Sequence, residues 1–292
     1  MHHLVLQVPA PATLDPALVA RIAEQVRSRE LQALDGSVGA ARAVRLRELG
    51  VDEQAVRALM PALAQQHGLD WALLPAGLGL RDFRLLVLDM DSTLVNMETI
   101  DEIGTATGMK ARIAEITEAA MRGEIADYAE SLRRRLALLA GTPEGVLEEV
   151  WQRMRLNPGA RELIDAAKRS GLRVLLATGG FTWFAERLQR ELGLDDVRAN
   201  TLDIADGRLT GNTLGPIVDG AGKRQALLDA CALLGCEPAR AIAIGDGAND
   251  LPMLDAAGLG VAYRGKPAVQ RAADMALNHC GLDAVALALQ DV

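Results

Sequence analysis

From residue 84 onward the chain alternates short apolar runs with amphipathic helical stretches, and that alternation constrains the fold more than any other feature. The runs fall at 84–90, 172–178, 197–203, 241–245 and 258–263, with a weaker one, MALN, at 275–278. In the first, Leu85, Leu86, Val87 and Leu88 are apolar without a break, as a strand buried on both faces must be. Such runs separated by helices predict an α/β fold with a doubly wound parallel, Rossmann-like sheet. DIADGRLTG (203–211) carries Asp-Gly between short strand-like stretches and predicts a small hairpin.

Two regions depart from the alternation. Between the first and second runs lie about eighty residues, far too many for a plain loop. They carry amphipathic patterns at roughly 99–121, 126–140 and 143–155, ahead of a crossover helix at 159–170. A helical cap over about 97–157 is expected, lying above the carboxyl ends of the strands, where such sheets bind ligands. Residues 1–80 read differently. HLVLQV (3–8) is a strand, and Asp15-Pro16 opens a helix to about residue 28. LQAL (31–34) and ARAVRLREL (41–49) are strands around a turn at DGSVG, followed by a helix at 52–67 and a strand in DWALLPAG (70–77). The order βαββαβ predicts a small α+β ferredoxin-like (ACT-like) domain over 1–80. PAGLGLRD (75–82) reads as a linker to a larger domain over 81–292.

Composition narrows the ligand. Half the 292 residues are hydrophobic but only 3% are aromatic, so Leu, Ala, Val and Ile must build the core. A formal charge of −8 argues against a broad basic surface for nucleic acid or anionic membrane, so an anionic ligand must meet local positive charge. No stretch reaches the ~18 apolar residues of a membrane helix, and the start of the chain lacks a secretory pattern. Three cysteines without a C-x-x-C fit reduced thiols and a cytoplasmic location. The four histidines form no ligand-spaced cluster, so a metal here would be held by oxygens, which favours Mg²⁺ over Zn²⁺.

The polar groups that matter stand at the ends of the apolar runs. DMDST (89–93) follows the first run, ATGGF (177–181) the second, and GDGAND (245–250) the run AIAI, while Lys223 opens a helix. A parallel sheet delivers such positions to one crevice. Asp89 and Asp91 would repel unless a cation stands between them, and Asp246 and Asp250 add negative charge. Mg²⁺ resolves this, because it accepts a few carboxylates, waters and phosphate oxygens. Thr178 with the amides of Gly179 and Gly180 offers a phosphate cradle, and Lys223 a compact positive charge. No serine–histidine or cysteine–histidine couple is visible. A carboxylate nucleophile, already ionised, with a second acid to handle the proton is a recognised route for phosphoryl transfer. Singly these motifs are weak, since Asp-x-Asp and Gly-Asp-Gly are common turns and a lone lysine is usually solvated. Their joint order points to a site.

These motifs resemble those of the haloacid dehalogenase-like phosphatases, over about residues 84–285: D-x-D-x-[ST] as DMDST, a strand-end hydroxyl as Thr178, a lysine as Lys223, and G-D-x-x-x-D as GDGAND. DMDSTLVNMETIDEIG is similar to the phosphoserine-hydrolysing group of that family, as are TGGF and the small domain ahead. The resemblance implies Asp89 as nucleophile and Asp91 as general acid/base. It implies Asp89, Asp246 and the main-chain carbonyl of Asp91 as Mg²⁺ ligands. Thr178 and Lys223 would hold phosphoryl oxygens, Asn249 would contact substrate or phosphate, and Asp250 would orient Lys223. The family more often has Ser where this chain has Thr178; the hydroxyl is kept, but the added methyl crowds the cradle.

The cap charges bear on the leaving group. Thr99-Ile-Asp-Glu102 fits a capping box, which leaves Glu98 free just ahead of the helix. Tyr128, Leu132, Arg135 and Leu139 share one helix face, while Arg133 and Arg134 point elsewhere. Glu98 for an ammonium and Arg135 for a carboxylate, with Tyr128 beside it, suit an amino-acid leaving group. Together with the resemblance, this implies hydrolysis of O-phospho-L-serine as the expected reaction. Two alternatives stay open: a phosphotransferase that passes the group to homoserine or another hydroxyl, and a non-catalytic amino-acid-binding regulator. For the small domain, packing alone, effector binding and homodimerisation all stay open.

Overall fold

The computed structural model describes residues 2–35, 42–125 and 127–290. The turn expected at DGSVG therefore lies largely outside the described residues, which stop at residue 35 and resume at 42.

The first elements are β1 (His2–Gln7), α1 (Pro16–Gln25), β2 (Glu30–Ala33), β3 (Ala43–Arg47), α2 (Glu53–His67) and β4 (Asp70–Pro75). Asp15 caps α1 by accepting the Ala17 N–H, and Pro16 stands at the first position, where its missing N–H costs nothing. Asp52 caps α2 the same way. The strands pair antiparallel in the order β2-β3-β1-β4. One face takes Leu18 and Ile22 of α1 and Val56 and Met60 of α2 against Leu4, Leu6 and Leu46. Each such side chain contributes roughly 1.5–3 kcal/mol by leaving water.

The larger part continues with β5 (Leu85–Leu88), α3 (Thr99–Thr107), α4 (Lys110–Met121), α5 (Tyr128–Ala137), α6 (Gly145–Arg153) and α7 (Ala160–Arg169). Then come β6 (Arg173–Phe181), α8 (Thr182–Leu192), β7 (Asp196–Ala205), β8 (Arg208–Leu214), α9 (Gly220–Leu234), β9 (Ala241–Gly245) and α10 (Leu251–Ala256). β10 (Leu259–Tyr263), α11 (Pro267–Ala272), β11 (Met275–Leu277) and α12 (Asp283–Ala288) complete it. The strands β11-β10-β9-β5-β6-β7 are parallel, and β8 closes the edge antiparallel in the hairpin expected at 203–211. β5 lies between β9 and β6, with Leu88 opposite Ile244 and Leu176. That register brings the ends of the three motif-bearing strands side by side.

The residues read as a linker are not slack. β4 pairs antiparallel with β11, so a single eleven-stranded sheet runs through the molecule. Asp70, buried, accepts N–H groups from Asn278, His279 and Cys280. The second face of the first four strands packs Val5, Ala43 and Leu74 with Val285 and Leu289. Gln7 donates to Ala284 O, and Arg45 to Ala288 O and Gln290 O. Within 75–82 itself there is a tight turn, Leu80–Asp82, whose first N–H donates to Leu289 O.

Between β5 and β6, the single helix expected at 99–121 is two. Gly108 breaks it in the left-handed region at φ 73°, which glycine enters without a Cβ penalty. The capping box expected at Thr99 does not form: Glu98 takes the N-cap position, no side chain caps α3, and the Thr99 hydroxyl goes elsewhere. Among the described residues no helix is long and apolar enough to cross a membrane.

Candidate active site

β5 is continued for one step by the Asp89 N–H, which donates to Ile244 O of β9. The chain then turns sharply over Met90–Leu94, with Leu94 N–H on Asp89 O, Val95 N–H on Met90 O, and Ser92 at φ 58°. Asn157 holds this turn. Its Nδ2 lies 3.2, 2.8 and 3.0 Å from the carbonyl oxygens of Ser92, Thr93 and Val95, and its own N–H donates to Leu94 O. A buried carboxamide facing three carbonyls must present its NH₂ edge, and Asn157 is 6% exposed.

Lys223 reaches the same place from α9. Its ammonium, fully buried, lies 2.7 Å from Asp89 Oδ1 and 2.7 Å from Asp250 Oδ1. The Asp250 contact is the well-aligned hydrogen bond. Asp250 Oδ2 accepts the N–H groups of Asp246 and Gly247, so this carboxylate ties Lys223 to the turn after β9. A Cβ at Gly245 would strike the Asp250 carboxyl at 2.3 Å, so only glycine fits there. Asn249 belongs to the short turn Ala248–Asp250, and its Oδ1 lies where a Cβ on Gly247 would be. Thr93 donates to Asp246 Oδ1 at 3.2 Å.

One oxygen each of Asp89, Asp246 and Asp250 lies within 4.8 Å of the others. Burial, partly offset by Lys223, pushes Asp89 up to about 7, with Asp250 and Asp246 adding repulsion. Burial followed by Asp250 and Glu98 pushes Asp246 up to about 7. Asp91 is raised well above the carboxylate range by burial, then by Glu98 and Asp89. For Lys223 burial favours the neutral form, but Asp250 and Asp89 more than offset it and keep the ammonium charged. Crowded, desolvated carboxylates of this kind fit a divalent cation, which would relieve the repulsion. Since both Asp250 oxygens are engaged, Asp89 and Asp246 are the better placed to ligate one.

At the end of β6, Thr178 is fully buried, and the strand pairing slips between Ala177 and Phe181. Here the expected cradle needs correcting. Thr178, Gly179 and Gly180 lie within the end of the strand rather than in a turn after it, and the Gly180 N–H is donated to Thr178 Oγ1 at 2.9 Å. A threonine hydroxyl two residues back is well placed to take that proton locally. The Gly179 carbonyl accepts Asn200 Nδ2 at 2.7 Å and the Tyr128 hydroxyl at 3.3 Å. Asn200 also accepts the Val218 N–H, linking β6, β7 and the segment before α9.

Above the strand ends, Glu98 accepts a hydrogen bond from the Ser92 hydroxyl. Burial raises its carboxyl, and Ser92 and Arg135 partly offset that. Arg135 lies with its guanidinium 6.0 Å from the Tyr128 ring centre, and its Nε donates to Ser131 O. Leu132 and Leu136 beside it are buried, whereas Arg133 and Arg134 are exposed. Asp89 and Thr178 thus stand at neighbouring strand ends, Asp246 and Asp250 in the turn after β9 and Lys223 on α9, with Tyr128 reaching Gly179 from α5. Nothing in the sequence singles out Asn200, and Thr99 is expected there only as a helix cap. The one available signal was Asn157 before Pro158-Gly159, a polar residue at the point where the inserted helices return to the body.

A haloacid dehalogenase-like hydrolase model matches residues 86–255. A phosphoserine phosphatase from a Polaromonas species is 55% identical over 211 residues, covering 70% of this chain and 89% of that protein. One from Streptomyces coelicolor is 44% identical over 285 residues, covering 96% of this chain and 68% of the relative. The crystal structure of a hydrolase of the same superfamily from Salmonella enterica serovar Typhi superposes with a TM-score of 0.88 at 30% identity, covering 100% of this chain and 99% of that one.

Proposed function

The chain belongs to the haloacid dehalogenase-like hydrolases, among their phosphoserine phosphatases, and from that premise we propose that it hydrolyses O-phospho-L-serine to L-serine and phosphate through an aspartyl-phosphate on Asp89. The observation that carries this reading is the buried Lys223 ammonium 2.7 Å from Asp89 Oδ1, beside a second carboxyl, Asp91, held apart from that pair.

In the first step an Asp89 oxygen attacks phosphorus and the bond to the serine oxygen breaks. Asp91 gives its proton to that departing oxygen. In the second step water attacks the same phosphorus, Asp91 takes the water proton, and the bond to Asp89 breaks to release phosphate. Both carboxyl groups return to their starting states. A raised carboxyl at Asp91 suits the first task, since a proton must be present to be given. Lys223 and Thr178 receive the phosphoryl oxygens, with Asn249 beside them, and Asp250 keeps Lys223 in place. Gly179 and Gly180 border the phosphoryl site without side chains of their own, which lets the Tyr128 hydroxyl and the Met90 methyl pack against this end of β6. Asp89, Asp246 and the Asp91 main-chain carbonyl would hold Mg²⁺, which when bound neutralises phosphoryl charge. Glu98 meets the substrate ammonium and Arg135, beside Tyr128, its carboxylate.

We read residues 97–157 as a cap over this site, residues 1–80 as an ACT-like domain, residues 81–292 as the catalytic domain, and the enzyme as cytoplasmic. The test is a substrate panel of phosphoserine, phosphothreonine and phosphoglycolate, run with Mg²⁺ and with chelator. Mg²⁺-dependent preference for phosphoserine supports the reading, and phosphoglycolate turned over equally well overturns the assignment of Glu98. Transfer to added homoserine in place of water would favour the phosphotransferase.

A further inference from the structure

We propose that Thr99 is the positioning residue for Asp91: its hydroxyl holds one carboxyl oxygen so that the other is the oxygen that gives and takes the proton. The inference rests on the acid/base reading of Asp91 given above.

Thr99 is fully buried and is the first residue of α3. A hydroxyl at a helix start ordinarily serves the backbone N–H groups of that first turn. Here α3 has no side-chain cap, and the hydroxyl donates instead to Asp91 Oδ2 at 2.9 Å. Asp91 Oδ1 is buried and has no hydrogen-bond partner among the described residues. The two oxygens of one carboxyl are therefore inequivalent. A buried acceptor left unpaired carries a desolvation penalty, and such groups in native structures call for an explanation. An oxygen kept free for a reacting group supplies one.

The Asp91 carboxyl as a whole borders the phosphoryl side of the site. A Cβ at Gly180 would lie 3.2 Å from Asp91 Oδ2 and 3.2 Å from Thr178 Oγ1. The Thr99 main-chain N–H also acts on this carboxyl, but the hydroxyl bond at 2.9 Å is the one that fixes Oδ2. Without it the carboxyl is freer to turn about its Cβ–Cγ bond, and the distance of Oδ1 from the departing group is less well defined. Because Thr99 opens the inserted helices, the same hydrogen bond ties proton transfer to the placement of α3 over the strand ends.

The experiment uses the full chain with Mg²⁺ and the variants Thr99→Val, Thr99→Ala, Thr99→Ser and Asp91→Asn, together with the Asp91→Asn/Thr99→Val double variant. Serine leaves as a poor alkoxide and needs the proton, whereas nitrophenolate leaves without one. Thr99→Val is expected to lower kcat on phosphoserine about 10- to 100-fold with KM little changed, and Thr99→Ser to stay within about threefold of the parent. With nitrophenyl phosphate, rapid mixing should show one equivalent of nitrophenol released at close to the parental rate. Slow turnover should follow, since hydrolysis of the aspartyl-phosphate still needs Asp91. The double variant should be no slower than Asp91→Asn.

Thr99→Val at parental speed on phosphoserine, in a background where Asp91→Asn is inactive, would overturn the role of Thr99 alone. So would equal slowing of the nitrophenol burst and of phosphoserine turnover, which marks general distortion. Asp91→Asn with full phosphoserine activity would instead overturn the acid/base reading beneath it. If Thr99→Val does not fold, Thr99→Ala carries the same expectations.

Discussion

The Lys223 ammonium stands 2.7 Å from Asp89 Oδ1, with the lysine entirely out of water and the aspartate almost so. Neither charge is tolerable there alone. The lysine is held between Asp89 and Asp250, and Asp250 is in turn held by the amides of Asp246 and Gly247. Replacing Lys223 by alanine strands two buried carboxylates, and breaking a buried pair in this way costs about 3–5 kcal/mol. Lys223→Ala is therefore expected both to lose turnover and to unfold at clearly lower denaturant. Unchanged stability in a urea titration would mean that water reaches this pocket freely.

Asp89→Asn keeps the shape of the side chain but removes the attacking charge. Turnover should vanish, and no phosphoenzyme should be trapped by acid quench after mixing with phosphoserine. Activity retained in that variant would rule out Asp89 as the nucleophile.

Asp246 is pushed up to about 7 by burial, then by Asp250 and Glu98. A carboxyl whose folded pKa exceeds its unfolded value binds its proton more tightly when folded. Its ionisation thus costs stability, beginning near the unfolded value of about 4 and complete above about 7. Asp246→Asn removes that cost. In chelator at about pH 8 the variant should melt above the parent, with the gap narrowing as pH falls below about 7. Mg²⁺, expected to raise the parent's Tm, should do so far less in the variant. A variant that melts lower in chelator at that pH would refute the crowding argument.

Arg135 lies on the buried side of α5, with Glu98 and Tyr128 within range of its charge. If it binds the substrate carboxylate, Arg135→Ala should cut kcat/KM for phosphoserine by about 10- to 100-fold, the equivalent of a charge-assisted hydrogen bond. Turnover of nitrophenyl phosphate, which has no carboxylate, should change little. Equal losses on both substrates would remove Arg135 from substrate recognition.

Much of the site could be read along the chain because a parallel sheet converts sequence order into proximity. Asp89, Thr178 and Asp246 each follow an apolar run, and neighbouring parallel strands end on the same side. The inward aspect of Arg135 followed from helical period alone. Asn157 could not be recognised in the same way. An asparagine's role depends on which carbonyls meet its amide, and its three lie 62 to 65 residues away. The Gly180 amide is a related case, since a local hydroxyl competes for it.

The small N-terminal region shows the limit most clearly. Its order of strands and helices was written in hydrophobic period and in the caps Asp15 and Asp52, all of which act within a few residues. Its attachment was not. Asp70 meets the backbone of 278–280 across more than two hundred residues, and β4 pairs with β11 over a comparable separation. Periodicity, capping and strand-end motifs are short-range signals, so the sequence by itself determined the elements, the parallel core and the main charged groups. Which oxygen of Asp91 is held, which amide is spent and how the antiparallel and parallel parts of the sheet join were decided by tertiary structure, because they depend on partners that only the folded chain brings within hydrogen-bond distance.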